Sequence, residues 1–336
     1  MIKWALMLGI LVFLIGCEVA GEHGDVFPVI KEDEKIIDVY FCPRDDCESE
    51  LAEFILSANE KVYCAFFDLD LEKVKDALVE QYGDGVDVKL IVDTDNYELV
   101  EDLDIPIKQD NRSAFMHNKF CIVDGEWISS GSLNPTINGA KKNNNNLIIL
   151  KSEGISANYE NEFNELWNGV FGKGDKTGIN IFYLNESKVE NYFCPEDECS
   201  EKVKDIIDKA EKSVYFMTFS FTHDGIANSL LLRMKEDIDV KGVFEKRGAG
   251  SEYSKYNVLK YQGVNVRKDN NSAVMHHKVF IIDNNTVITG SFNPSKSADE
   301  YNDENILIIH DKEIASRYLE EFDHIFENYT ENEQEV

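Results

Sequence analysis

Basic charge is scarce in this 336-residue chain. Its 34 lysines and arginines stand against 64 aspartates and glutamates, for a formal net charge of -30. No arginine-rich arm or basic stripe stands out from that excess. Proteins that grip nucleic acid gain affinity by neutralising backbone phosphates, so this balance counts against a nucleic-acid partner. It counts equally against flat adsorption on anionic membranes. Long hydrophobic runs are missing too. The apolar stretch from Trp4 to Ile15 is shorter than the roughly 20 residues that a spanning helix needs. With Lys3 before it and Gly16-Cys17 behind, residues 1–17 read as a secretory signal.

What the chain does contain is a cassette that occurs twice. Residues 116–134 read MHNKFCIVDGEWISSGSLN, and residues 275–293 read MHHKVFIIDNNTVITGSFN, at an offset of 159. Each carries His, Lys two residues on, then Asp, then Gly-Ser-x-Asn. FCIVD and VFIID are apolar and β-branched, so each cassette predicts a strand running into a turn. Residues two apart on a strand share a face, so His117 projects with Lys119, and His276 with Lys278. An imidazole beside an ammonium, with Ser and Asn donors close by, suits a phosphate-like anion. Gly131 and Gly290 open turns in which the backbone approaches closely. A lone histidine on a strand is ordinarily a satisfied core residue. Two in identical frames argue for one site built from two half-sites.

This H-x-K-x4-D-x6-G-S-x-N pattern resembles the signature of the phospholipase D superfamily, over roughly residues 36–330. The resemblance implies an α/β fold of two pseudo-symmetric lobes, each a mixed sheet flanked by helices, with the active site at the lobe interface. It implies a metal-independent phosphodiesterase with no cofactor, working through a covalent phosphohistidine. Its catalytic set is His117, Lys119, Asp124, His276, Lys278 and Asp283. Asp124 and Asp283 sit at strand ends, where holding a turn or a lysine suits them better than chemistry. Ser132, Asn134, Ser291 and Asn293 are the expected phosphate-binding groups. Asn145 and Glu304, each eleven residues after the motif Asn, are expected to orient the histidine of the opposite lobe. A carboxylate supports an imidazolium-like intermediate better than an amide does, which points to His117 as nucleophile and His276 as acid, then base.

The duplication extends upstream, where residues 40–70 match residues 192–222. Strand and helix alternation predicts helices over Leu71 to Tyr82 and Asp224 to Lys235, strands over Val86 to Asp93 and Ile238 to Glu245, and closing helices over Ala157 to Phe171 and Lys312 to Tyr329. The expected division is a signal over 1–17, a polar tether over 18–35, a first lobe over 36–172, a second over 173–330, and an acidic tail over 331–336. Gly172 to Gly178 reads as the linker. Asp68, Asp70, Ser220 and Thr222 are expected near the cleft mouth, in helix-capping roles.

Leu14-Ile15-Gly16-Cys17 resembles a lipobox, which implies lipidation at Cys17 and an extracytoplasmic protein, anchored at a membrane or secreted. The repeated Cys-Pro-x-x-x-Cys then reads as two local disulfides, Cys42–Cys47 and Cys194–Cys199, with a shared four-thiolate zinc site as the alternative. Cys64 and Cys121 fall in apolar strands and read as buried thiols. The substrate is a phosphodiester, with phospholipid favoured. An exported endonuclease of the same fold and an inactive binding module are the other readings. Since one chain carries both half-sites, a monomer suffices.

Overall fold

The computed structural model describes residues 28–327. The signal segment with Cys17, the start of the tether and the acidic tail lie outside the described residues.

Two mixed sheets form the frame. The first has seven strands, in spatial order Ile37–Cys42, Asn145–Lys151, Trp127–Gly131, Lys119–Val123, Lys61–Phe66, Asp87–Val92 and Ile107–Gln109. The last three run parallel and the others antiparallel. The second sheet repeats this order from Ser187–Cys194 to Asn265–Lys268 and adds two strands, Ile181–Leu184 and Val29–Glu32. That addition corrects the expected boundaries. The described end of the supposed tether is a strand, and Val29–Glu32 lies parallel to Ile181–Leu184 in the second lobe's sheet.

The central strands are buried along their whole length, Lys119–Val123 and Lys278–Ile282 among them. Their unbroken apolar runs, rather than alternating ones, match a sheet covered on both faces. One face of each sheet packs against outer helices such as Glu72–Gly83 or Asp224–Lys235. The other faces meet in a common core. There Tyr159 and Phe163 of helix Glu153–Trp167 and Tyr318 and Phe322 of helix Lys312–Glu327 pack among side chains from both sheets. Removing one such aromatic costs about 3–5 kcal/mol, so the shared core fixes the two lobes together. Helix Glu153–Trp167 starts four residues before the expected Ala157, because Ser152 caps it by accepting the N–H of Ile155.

The cysteines are resolved as disulfides, Cys42–Cys47 and Cys194–Cys199, rather than as a four-thiolate zinc site. A third bond corrects the expectation of buried thiols. Cys64 and Cys121 face each other across antiparallel strands, with Cα atoms 4.0 Å apart, and are joined. The second lobe places Phe216 against Phe280 at that register, with ring centroids 5.9 Å apart.

Candidate active site

Two short parallel bridges tie the lobes where the cassettes begin, Met116 to Asp303 and Met275 to Asn144. The His117 N–H donates to Asp303 O at 2.9 Å, and the His276 N–H to Asn144 O at 2.8 Å. The residue after each bridging partner is thereby delivered to the imidazole of the other lobe. His117 Nδ1 lies 2.8 Å from Glu304 Oε2, and His276 Nδ1 lies 2.8 Å from Asn145 Oδ1. The Asn145 amide is oriented by its Nδ2, which donates to Gly139 O at 3.0 Å. His276 Nδ1 also faces the Ser132 carbonyl at 3.1 Å. Two acceptors on Nδ1 select the tautomer that leaves the Nε2 lone pair free.

Each half-site has the same three-part build. Lys119 Nζ donates to His117 O at 2.6 Å, and Lys278 Nζ to His276 O at 2.8 Å. Each ammonium stands over a phenyl ring, Lys119 over Phe67 at 5.2 Å and Lys278 over Phe219 at 5.1 Å. The same rings lie against the imidazoles, with centroids 5.1 Å apart for Phe67–His117 and 4.7 Å for Phe219–His276. Sequence reasoning missed these phenylalanines, although they occupy matching places in the two upstream repeats.

Burial governs the electrostatics. Both histidines are only 8% exposed and both lysines 3%. Burial, and then the lysine charges, hold His117 and His276 well below the usual imidazole range. Burial brings Lys119 down to about 7, against the opposing pull of Glu304, Asp68 and Asp93. Lys278 is pushed well down by burial and by Lys119. Burial lifts Glu304 to about 8, although Lys119 and Ser291 act against it. Four cationic groups are thus crowded where none is comfortably charged. An anion placed among them restores their protons, which is the electrostatic profile of a phosphate site.

Two expectations need correction, and the turn-holding reading of Asp124 and Asp283 stands in place of a catalytic one. The Ser132 and Ser291 hydroxyls, expected to bind phosphate, are engaged with backbone and orienting groups instead. Their hydroxyls accept the N–H groups of Asn146 and Asn305 at 3.0 and 2.9 Å. Ser132 also donates to Asn145 Oδ1 at 3.1 Å, and Ser291 hydrogen-bonds to Glu304. The serines therefore position the groups that hold the histidines. Asp124 and Asp283 are outside the site, five residues along the strand from the lysines, about 16 Å. Asp124 accepts three backbone N–H bonds, from Asn59, Glu60 and Lys61 at 2.9, 2.8 and 3.0 Å. Asp283 does the same for Glu211, Lys212 and Ser213 at 2.9, 2.7 and 2.9 Å. Both hold turns. Nor are the four cleft-mouth residues helix caps, since Leu71 and His223 occupy the N-cap positions. Asp70 instead accepts the Ile137 N–H, while Asp68, half-buried, bears on Lys119.

Asn134 and Asn293 are half-buried, and neither carboxamide oxygen has a partner among the described residues. These oxygens remain uncommitted to the turns that carry them.

A family model for the cardiolipin synthase, phospholipase D-like domain matches residues 51–167 and again residues 203–326. The chain belongs to the phospholipase D superfamily. It is therefore a phosphodiester hydrolase of that superfamily. A phospholipase D of Rickettsia conorii is 35% identical over 141 residues, 42% of this chain and 70% of the relative. A mitochondrial cardiolipin hydrolase of Xenopus laevis is 34% identical over 120 residues, 36% of this chain and 57% of that protein. The crystal structure of phosphatidylserine synthase from Haemophilus influenzae aligns with a TM-score of 0.68, covering 87% of this chain and 86% of that one. At 12% identity this last likeness is one of fold, and it extends over both lobes of this superfamily member.

Behind the site the superfamily's pseudo-symmetry breaks. Asn118, between His117 and Lys119, points to the opposite face of the strand and donates to Glu162 at 3.3 Å. Its counterpart His277 lies 3.1 Å from Glu321, which also pairs with Arg44. Where the first lobe has Arg44, the second has Glu196. Glu162, Glu165 and Glu196 accordingly form a group of three acids. Burial and then the Glu196 charge raise Glu162 well above the usual carboxylate range.

Proposed function

We propose that this site hydrolyses phospholipid phosphodiesters, with His117 as nucleophile. The observation that carries the assignment is the unequal support of the two imidazoles, a carboxylate on His117 and an amide on His276. His117 Nε2 attacks phosphorus as the bond to the leaving alcohol breaks. His276, charged by the bound phosphate, gives its Nε2 proton to that oxygen. It then takes a proton from water, whose oxygen attacks phosphorus and breaks the P–N bond. Phosphatidate and a restored His117 result. Splitting the displacement in two lets each step use a positioned nucleophile. Glu304 stabilises the charge that His117 acquires on forming the P–N bond. Lys119 and Lys278, recharged by the anion, together with the amides of Asn134 and Asn293, neutralise the equatorial oxygens without a metal.

The names of the relatives, a phospholipase D and a cardiolipin hydrolase, support a lipid substrate, as does the acidic body of the chain. We place the protein outside the cytoplasm, as a monomer held to a membrane by a lipid on Cys17. The signal-like residues 1–17 and three disulfides favour that setting. The test offers phosphatidylcholine vesicles and single-stranded DNA side by side in EDTA, with His117→Ala as control. Lipid cleavage that the mutant lacks supports the reading. Cleavage of DNA alone makes the chain a nuclease, and loss of all activity in EDTA defeats metal independence.

A further inference from the structure

The net charge conceals a local reversal. Residues 246–268 carry six basic side chains, Lys246, Arg247, Lys255, Lys260, Arg267 and Lys268, against Glu252 alone. The matching span of the first lobe, residues 94–109, carries Lys108 against five acids. The basic span borders the second half-site. Gly248 packs so closely on the Phe219 carbonyl that an added Cβ would stand 3.2 Å from its oxygen. The ring of Phe219 is the one resting on His276. Lys255 N–H donates to Phe221 O at 2.9 Å, anchoring the following turn beside the same strand end.

The exposed groups on this rim are of two kinds. Lys246 and Arg247 are exposed, next to the site-bordering glycine. Tyr253 is 68% exposed, and helix Tyr256–Tyr261 turns out Val258 at 47% and Tyr261 at 89%. Val258 and Tyr261 are three residues apart, so they share one helix face. Aromatic and aliphatic bodies beside snorkelling cations suit the boundary between headgroups and acyl chains. Single-stranded nucleic acid would use the charges and the tyrosine faces, but gains nothing from an outward valine.

We infer that residues 246–261 form a docking face for an anionic bilayer, which brings the second half-site to the membrane surface. The inference rests on the reading of the site as a phospholipid phosphodiesterase. The whole chain is repelled by such a surface, while this rim is drawn to it, so docking is one-sided and orients the cleft.

The experiment uses the full chain with His117→Ala, so that lipid is not consumed, and Cys17→Ala, so that no lipid anchor seats the chain on neutral vesicles, and adds Tyr261→Trp as a local probe. Vesicles contain brominated phosphatidylcholine, with or without phosphatidylglycerol. The expected result is quenching of the added tryptophan, beyond that of the parent with His117→Ala and Cys17→Ala, in the anionic vesicles only. Reversing Lys246 and Arg247 to Glu should then weaken the apparent affinity roughly tenfold or more, since each basic residue near an anionic surface contributes on the order of one kcal/mol. Absence of extra quenching overturns the docking face, and so does a shift of the added tryptophan's emission by single-stranded DNA in place of vesicles. The chain with His117 intact is assayed separately on phospholipid in detergent micelles. Micellar cleavage without quenching removes the docking face and leaves the site reading standing. Quenching without cleavage of any phosphodiester removes the site reading.

Discussion

Glu304→Gln separates the work of the carboxylate from its geometry. A glutamine carbonyl can accept the His117 Nδ1 proton as Asn145 does for His276, so tautomer and ring orientation are kept. What is lost is the charge that Glu304 takes on in the proposed phosphohistidine, where the new imidazolium charge draws its carboxyl back down from about 8. A hydrogen bond to a charged group contributes about 1.5–3 kcal/mol, so kcat should fall roughly 10- to 100-fold. Stability should move the other way. Burial lifts the Glu304 carboxyl from 4.5 to about 8. Between those values the folded state binds the proton more tightly than the unfolded one, so stability declines as pH rises from 4.5 to 8. That range corresponds to on the order of 4 kcal/mol. Glutamine avoids the decline, so the variant should match the parent near pH 4.5 and melt several degrees higher at pH 8. Thermal unfolding at both pH values and single-turnover kinetics check both arms. A variant within about twofold of the parent in kcat, or one less stable at the higher pH, refutes the reasoning. Phosphate trapped on His276 refutes the assignment of the nucleophile.

Three further outcomes are expected. Asp124→Ala should destabilise by about 2–3 kcal/mol, for the loss of three N–H acceptors around a charge, while the folded fraction keeps its kcat; a collapse of kcat would return Asp124 to the site. Replacing Cys64 and Cys121 by alanine should cost about 4 kcal/mol from loop entropy over a separation of 57 residues, about twice the cost of losing Cys42–Cys47 with its separation of 5, as read by denaturant midpoints. Glu196→Arg should give Glu162 the partner that Arg44 gives Glu321 and raise the melting temperature by several degrees; a lower value would show the acid cluster to be satisfied as it stands.

The duplicated cassette makes two half-sites legible in the sequence itself. The resemblance to the superfamily signature implies that Glu304 orients His117 and Asn145 orients His276 across the lobes, and the fold brings those atoms to 2.8 Å. Strand and helix alternation likewise locates both sheets to within a few residues. Features that depend on register are not legible. The Cys64–Cys121 bond requires the two strands to be antiparallel neighbours in one frame, which spacing alone does not reveal. Val29–Glu32 joins the second sheet by pairing with Ile181–Leu184, far along the chain, and nothing local in VIKE distinguishes that edge from a tether. The serines mislead because a hydroxyl beside a phosphate site is equally useful holding the residue that holds the histidine. The basic rim stays hidden while charge is summed over the chain rather than over the loops that border the cleft.

The two lobes keep the same backbone and differ where chemistry or environment would gain from asymmetry. Gly131 and Gly290 show what is kept. Both have positive φ, and an added Cβ would stand 2.4 and 2.3 Å from the carbonyls of Asn146 and Asn305. That close approach sets the serine after each glycine under its orienting residue, so it is needed twice. The orienting residue itself is where symmetry ends. One carboxylate raises the basicity of one imidazole, whereas a second would hold negative charge beside the histidine proposed to donate a proton. The proposed two-step displacement needs one nucleophile and one acid, so a site with Glu304 on one side and Asn145 on the other suits that reaction better than a symmetric pair. Asn145→Glu tests this directly. It should lower kcat by making the two imidazoles compete for the same role, and a rise in kcat would show that the amide is a defect rather than an assignment.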